Sequence, residues 1–357
     1  PAAVVGGILF SIICTALYYT DTATIELDGV VKDLMMMVFF CSIGFMASIR
    51  MIRSGGRMVL ILLALVSVLI LVQDIVGTSM ASAFGYDPKL GLCLGSISLV
   101  GGHGTAASYG QLLVDEYGIT GADSVAVAVA TYGLAVSGFI GGPLARRLIK
   151  KYDLSPSEEE VEMSNVSEKS HLIDENKFLI ALILILVCIA VGVYVTQAFS
   201  AIGVTTPVYL GAMIVALIIR NIADHKGYDL PIKEISTLGT ICLAIFLSLA
   251  LMGLKLWQIA DLAGFMVFTL IVQTVIVAAY VYFVVFRMTG KNYDSAVYVT
   301  ATTGFSLGAT PNAMANMQAL MDQHGPAPVA YFIVPLVGSV FVDFINTGVL
   351  VTFLNML

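Results

Sequence analysis

The chain has 357 residues, 59% of them hydrophobic and only 11% charged, with a formal net charge of −7. Its mean hydropathy is +0.95, whereas soluble domains carry roughly 25% charged residues, so only a bilayer solvates a chain this apolar. This excludes an ordinary soluble domain. It also excludes a nucleic-acid binder, because the basic residues border apolar runs and form no patch with aromatics.

A spanning helix needs about 20 apolar residues. In chain order such runs are expected at 2–19, 33–49, 58–85, 124–149, 178–201, 207–222, 235–254, 262–286 and 329–354. Two further apolar stretches, 90–118 and 295–325, are interrupted by glycine and polar residues. Cys14, Cys41, Cys93, Cys188 and Cys242 all fall inside apolar runs without metal-ligand spacing and read as small buried hydrophobes. Between the two halves lies an acidic stretch containing Glu158, Glu159, Glu160, Glu162, Glu168, Asp174 and Glu175. It reads as a solvated linker, and it divides the chain into 1–152, a linker at 153–177, and 178–357.

Positive charge orients the spans. With the linker cytoplasmic and both interrupted stretches entering and leaving on one side, 14 of the 17 basic residues lie inside. Arg50 and Arg53 are among them; only Lys32, Lys89 and Lys255 lie outside. Residue 1 is then cytoplasmic and the C-terminus external. A broken helix that crosses the membrane is the rival to a hairpin in each interrupted stretch.

The halves resemble each other. Tyr86-Asp87 matches Tyr293-Asp294 and Asp115…Gly118 matches Asp322…Gly325, both at an offset of 207. Thr105 and Thr310 differ by 205, and Pro1 and Pro207 by 206. Matches in order at nearly one offset argue for duplication. An odd number of spans inverts the second copy, and inverted repeats place a transporter's substrate site at their interface. The counterpart of the span at 178–201 would precede Pro1, so a first helix is expected to be missing from this chain.

Irregular backbone at membrane depth is tolerated only where protein or water surrounds it. Each interrupted stretch is therefore read as a re-entrant hairpin. The first has its tip at Gly101, Gly102, His103, Gly104 and Thr105; the second has its loop at Gly304–Gly308. In the second, Thr310 suits the N-cap and Pro311 the first helical position, and the free N–H groups there attract anions. Asn312 and Asn316 are one turn apart and share a face. His103 is read as a brace for its loop ahead of a ligand. Two carboxylates lie deep in spans. Asp343 and Asn346, at i and i+3, offer a carboxylate and a neutral oxygen suited to sodium, and Asp74 serves either structural pairing or coupling. With no lysine or arginine mid-span, an anionic substrate relies on helix N-termini, hydroxyls, amides and bound cations. A channel with paired re-entrant loops stays open as a second class, and an intramembrane enzyme finds no nucleophile–base spacing.

At "SLVGGHGTAAS", "LMGLKLW", "GKNYDSAV" and "GFSLGATPNAMANMQAL" the chain resembles the bacterial sodium/glutamate symporter family. The resemblance implies an all-α polytopic membrane protein of two inverted five-helix repeats, each with a re-entrant hairpin. It implies sodium-coupled uptake of L-glutamate across the inner membrane, a homodimer, and an elevator-like step. No enzyme activity and no cofactor beyond the coupling ion is implied. Carried over, it covers Gly101, Gly102, His103, Gly104 and Thr105, then Gly304, Gly308, Ala309, Thr310, Pro311 and Asn316, and Asp343 and Asn346. Another organic anion, or protons as coupling ion, is the sibling reading. The chain departs from the family pattern at Val100, Ser306 and Asp74.

Overall fold

The computed structural model describes every residue except 1, 22, 24, 26–28, 50–55, 157–173, 255, 256, 258–261 and 309. Ala309, Arg50, Arg53, Lys255 and most of the acidic linker therefore lie outside the described residues, as do the side chains of Thr310 and Pro311.

The described residues are helical from end to end. The first half comprises α1 (Ala2–Tyr19), α2 (Val30–Met46), α3 (Gly56–Ala83), α4 (Pro88–Cys93), α5 (Ser96–Leu99), α6 (Gly102–Tyr117) and α7 (Ala122–Tyr152). The second comprises α8 (Glu175–Ala201), α9 (Leu210–Lys226), α10 (Ile232–Met252), α11 (Ala263–Met288), α12 (Tyr293–Leu307), α13 (Thr310–His324), α14 (Pro328–Leu336) and α15 (Asp343–Met356). Five of them, α3, α7, α8, α10 and α11, are long and apolar enough to cross a membrane. The last predicted span is broken: Pro335 removes a backbone donor, and the π-turn Val337–Val342 separates α14 from α15. All five cysteines are free and buried.

Local chemistry explains the starts. Asp87 caps α4 by accepting from Lys89 N at 2.8 Å, with Pro88 in the first turn. Asp174 caps α8 by accepting from Asn176 N and Lys177 N at 2.9 and 3.1 Å. Asn292 and Ser295 form a capping box on α12. At the far ends, Gly118 (φ +67°) and Gly227 (φ +76°) take the left-handed conformation that stops α6 and α9.

The apolar contacts fall into two clusters. One is made from α2, α8, α9 and α10 through Cys41, Phe45, Ile185, Cys188, Ala216 and Ile235. The larger one joins both interrupted stretches to α3, α7, α11 and α14 and also takes in Phe40 of α2, Met213 of α9 and Leu251 of α10. The halves exchange contacts. A Cβ on Gly7 of α1 would stand 2.4 Å from Leu251 Cβ of α10, and one on Gly44 of α2 would stand 2.4 Å from Met213 O of α9. These two pairs map onto each other at offsets of 206 (7 to 213) and 207 (44 to 251), the offsets read from the motifs. Asn221 adds a polar tie, accepting from Ile49 N and donating to Ala47 O at the end of α2, both at 2.8 Å.

Both interrupted stretches fold back on themselves. The Lys89 ammonium sits 5.0 Å from the centroid of the Tyr117 ring, joining the two ends of the first hairpin. The Tyr293 hydroxyl donates to Gly325 O at 2.5 Å, joining the ends of the second. The turns differ from the expected ones. In hairpin 2, Gly304 lies inside α12 and lets it approach α13, since a Cβ there would stand 2.3 Å from Ala313 Cα. The turn comes later, at Gly308. In hairpin 1 the outgoing arm breaks at Gly95 and again at Gly101, so His103, Gly104 and Thr105 form the first turn of α6 instead of a loop. Gly102 has φ +59° and admits a side chain only with strain.

Candidate functional site

The two hairpin tips meet on α7. A Cβ on Gly133 would stand 2.0 Å from Leu307 O, at the end of α12, and 3.2 Å from Leu99 Cδ2, at the end of α5. One glycine in the middle of α7 therefore touches both tips. Around it, polar groups fix each tip in place.

Hairpin 1 is held by Asp74. Its carboxylate accepts from Ser96 N at 2.7 Å and from Ser96 Oγ at 2.8 Å, so it supplies from α3 the cap that the start of α5 lacks. Gly95 permits this approach, because a Cβ there would lie 2.7 Å from Asp74 Oδ1. Asp74 is fully buried, and of its two expected roles these bonds favour pairing. Replacing it tests this. Asp74→Asn keeps an acceptor for Ser96 N, and Ser96 Oγ can turn to accept, so its melting temperature in detergent is expected near wild type. Asp74→Leu strands a buried N–H and is expected to cost about 1–3 kcal/mol. Equal loss in both variants would point to the charge itself.

His103 is buried and its Nε2 lies 3.0 Å from Thr131 Oγ1. Thr131 spends its own proton on Val127 O at 2.9 Å, so its oxygen accepts and His103 Nε2 donates. The imidazole ties the first turn of α6 to α7, as a brace does.

Hairpin 2 is held from α3 and α7. Gln73 Nε2 donates to Ser306 O at 2.8 Å, satisfying a carbonyl that the end of α12 leaves free. Asn312 Nδ2 donates to Leu134 O at 2.9 Å and Ser137 Oγ at 2.7 Å, and Asn316 Nδ2 donates to Ser137 O at 3.2 Å. The shared face of these asparagines is therefore turned to α7. Gln318 pairs instead with Asp322 on the exposed side, at 2.7 Å.

Asp343 opens α15 directly after the π-turn, a distortion frequent at functional sites. Its carboxylate is half-buried and has no hydrogen-bond donor among the described residues. Its surroundings include the Tyr209 hydroxyl, whose ring stacks on Phe40 with centroids 3.6 Å apart. Asn346, one turn on and buried, donates from Nδ2 to Ser96 O at 3.2 Å. The carboxylate of Asp74 and the amide of Asn346 thus meet at one residue of hairpin 1.

Sequence reasoning missed a cavity of about 350 Å³ between α6, α2 and the segment 203–208. Its walls are Lys32, Asp33 and Met36 from α2, Ala107, Ser108 and Gln111 from α6, and the segment 203–208. It begins one turn beyond Thr105. Deeper in, Phe39 closes on the first turn of α6, 3.1 Å from where a Gly104 Cβ would stand. Ser108 and Gln111, polar at i and i+3 of an otherwise small-residue helix face, were the available signal.

The family model described as "Sodium/glutamate symporter" matches residues 1–326. The chain belongs to the sodium/glutamate symporter family. The Escherichia coli protein of that name is 40% identical over 360 residues, covering 99% of this chain and 90% of that one. The Shigella flexneri protein of the same name matches equally. The Haemophilus influenzae protein so named is 34% identical over 357 residues, covering 98% and 88%. Sodium/glutamate symporters are transporters, not enzymes. Of the two motifs, "SLGATP" reaches Gly133 through Leu307, and Leu99, two residues before "GGHGTA", reaches it from hairpin 1.

Proposed function

We propose that this chain carries glutamate together with sodium across a bacterial inner membrane by alternating access. The observation that carries the reading is the meeting of both hairpin tips at Gly133 in a member of this family. The anionic substrate sits between the opening turns of α6 and α13, against Gly102, His103, Gly104 and Thr105 on one side. On the other it meets Gly308, Ala309, Thr310, Pro311, Asn312 and Asn316. Free N–H groups at two helix starts offer donors and positive dipole ends, in a sequence that places no lysine or arginine mid-span. Sodium binds at Asp343 and Asn346, and Asp74 supports them through Ser96.

The exchange of contacts between α1/α10 and α9/α2 supports two inverted repeats related by a two-fold axis. Both hairpins are re-entrant in this reading, and their tips lie near the midplane. In this reading the hairpins move past a scaffold of α2, α8, α9 and α10, which its own apolar cluster holds together, in an elevator-like step. The cavity beside Ser108 and Gln111 is the external route to the first tip. The protein works as a homodimer, with residue 1 and the linker cytoplasmic and the C-terminus periplasmic.

Radiolabelled L-glutamate uptake into proteoliposomes tests the reading. An inward sodium gradient is expected to drive accumulation above equilibrium, and potassium in its place is expected to drive none. Uptake indifferent to sodium removes sodium as the coupling ion. Sodium-driven uptake of another organic anion, with none of glutamate, removes the substrate.

A further inference from the structure

Three buried amide oxygens in this region have no hydrogen-bond partner: Gln73 Oε1, Gln273 Oε1 and Asn346 Oδ1. In each case the other end of the amide is committed. Gln73 Nε2 donates to Ser306 O at 2.8 Å, Gln273 Nε2 to Gln73 O at 2.7 Å, and Asn346 Nδ2 to Ser96 O at 3.2 Å. All three acceptors are carbonyls, so flipping any amide would set oxygen against oxygen. The orientation of each orphan oxygen is therefore fixed by the network.

Asn346 already belongs to the sodium position with Asp343. The two glutamines do not. They lie on α3 and α11, the last helix before each hairpin in its half, and both are 0% exposed. Thr269, one turn before Gln273, adds a third orphan oxygen on the same helix face. Helical threonines elsewhere in this chain, such as Thr78, Thr131 and Thr303, bond back to the carbonyl four residues earlier. Thr269 does not. These oxygens are dry and neutral, both glutamine N–H groups are spent on carbonyls, and the Thr269 hydroxyl proton is the one free donor beside them among the described residues. One proton does not satisfy three oxygens, and a hard cation does.

We propose that Gln73 Oε1, Gln273 Oε1 and Thr269 Oγ1 hold a second sodium ion between α3 and α11. This rests on the reading of the chain as a sodium-coupled carrier. A cation on an amide oxygen polarises the amide and strengthens the bond its N–H donates. For Gln73 that bond goes to Ser306, two residues before the turn of hairpin 2. Sodium at the glutamine pair therefore firms the tip against which substrate binds. By reciprocity, substrate at the tip tightens sodium.

The test is the sodium dependence of glutamate uptake by the full chain in proteoliposomes. Beside it runs the sodium-induced rise in melting temperature in detergent, with choline as the balancing cation and no glutamate. Gln273→Leu is expected to raise half-saturating sodium about tenfold or more, the size seen when groups supporting a metal site are lost, and to lower the sodium Hill coefficient. Thr269→Val and Thr269→Ala, which both remove the hydroxyl oxygen, are each expected to raise it less. If Gln273→Leu does not fold, the other two variants decide. Unchanged half-saturating sodium in both overturns the second site, as a pair that only holds water predicts. Sodium-activated uptake by wild type together with unchanged variants removes the glutamine site alone. Absence of sodium activation in wild type removes the carrier reading itself.

Discussion

Gly133→Ala is expected to abolish most glutamate uptake, while Gly138→Ala on the same helix is expected to leave it within about twofold of wild type. The difference lies in what each new methyl meets. At Gly133 a Cβ would stand 2.0 Å from Leu307 O. That atom is backbone, at the end of α12, so no side chain can rotate away. Either α7 or the tip of hairpin 2 must move. At Gly138 the nearest atom is Asn316 Oδ1 at 3.8 Å, an ordinary contact. Overpacking costs typically ~1–3 kcal/mol, and ~1.4 kcal/mol already shifts a conformational equilibrium tenfold. The cost falls on whichever states hold both tips against α7, so uptake should fail before folding does. Melting curves and uptake measured on the same preparations separate the two. Wild-type uptake by Gly133→Ala would mean that the tips do not need to close on α7 for transport.

Five of the nine expected spans, 58–85, 124–149, 178–201, 235–254 and 262–286, are helices long and apolar enough among the described residues to cross a membrane, legible because the bilayer demands long apolar runs. The predicted run 2–19 is helix Ala2–Tyr19, and 178–201 differs from Glu175–Ala201 only by the turn that Asp174 caps. That the apolar stretches 90–118 and 295–325 are both interrupted was legible from glycine placement. Which glycine makes the turn was not. Gly304 and Gly308 look alike in sequence, but one is spent on close packing against Ala313 and the other on the turn, and only the partner helix decides. Asn312 and Asn316 were correctly placed on one face, yet the face points to α7 because Leu134 and Ser137 present acceptors there. The pairing of Asp74 with Ser96 spans 22 residues and depends on how hairpin 1 leans on α3, which no periodicity encodes. Gln73 and Gln273 passed unremarked for the same reason. A buried glutamine in an apolar helix is informative only once its oxygen is seen to lack a donor.

Asp343→Asn is expected to remove sodium-driven accumulation altogether. The substitution keeps side-chain size and both polar atoms, so the break after the π-turn survives and so does the fold. What it removes is the negative charge. In this site the remaining ligand on α15 is the neutral oxygen of Asn346, unpaired and buried. A monovalent ion leaving water for a half-buried pocket needs compensation that one amide does not supply. Even groups that only support a metal ligand cost ~10–100-fold in affinity when lost, so half-saturating sodium should rise at least about a hundredfold. Exchange of labelled for unlabelled glutamate across the membrane separates two ways of failing. If exchange persists without sodium dependence while accumulation is gone, Asp343 carries coupling and the substrate site at the tips is intact. If both are lost in a folded protein, sodium at Asp343 is needed before substrate can bind. Wild-type accumulation by Asp343→Asn would move the coupling ion away from α15, to the neutral oxygens of Gln73 and Gln273, where no carboxylate is required.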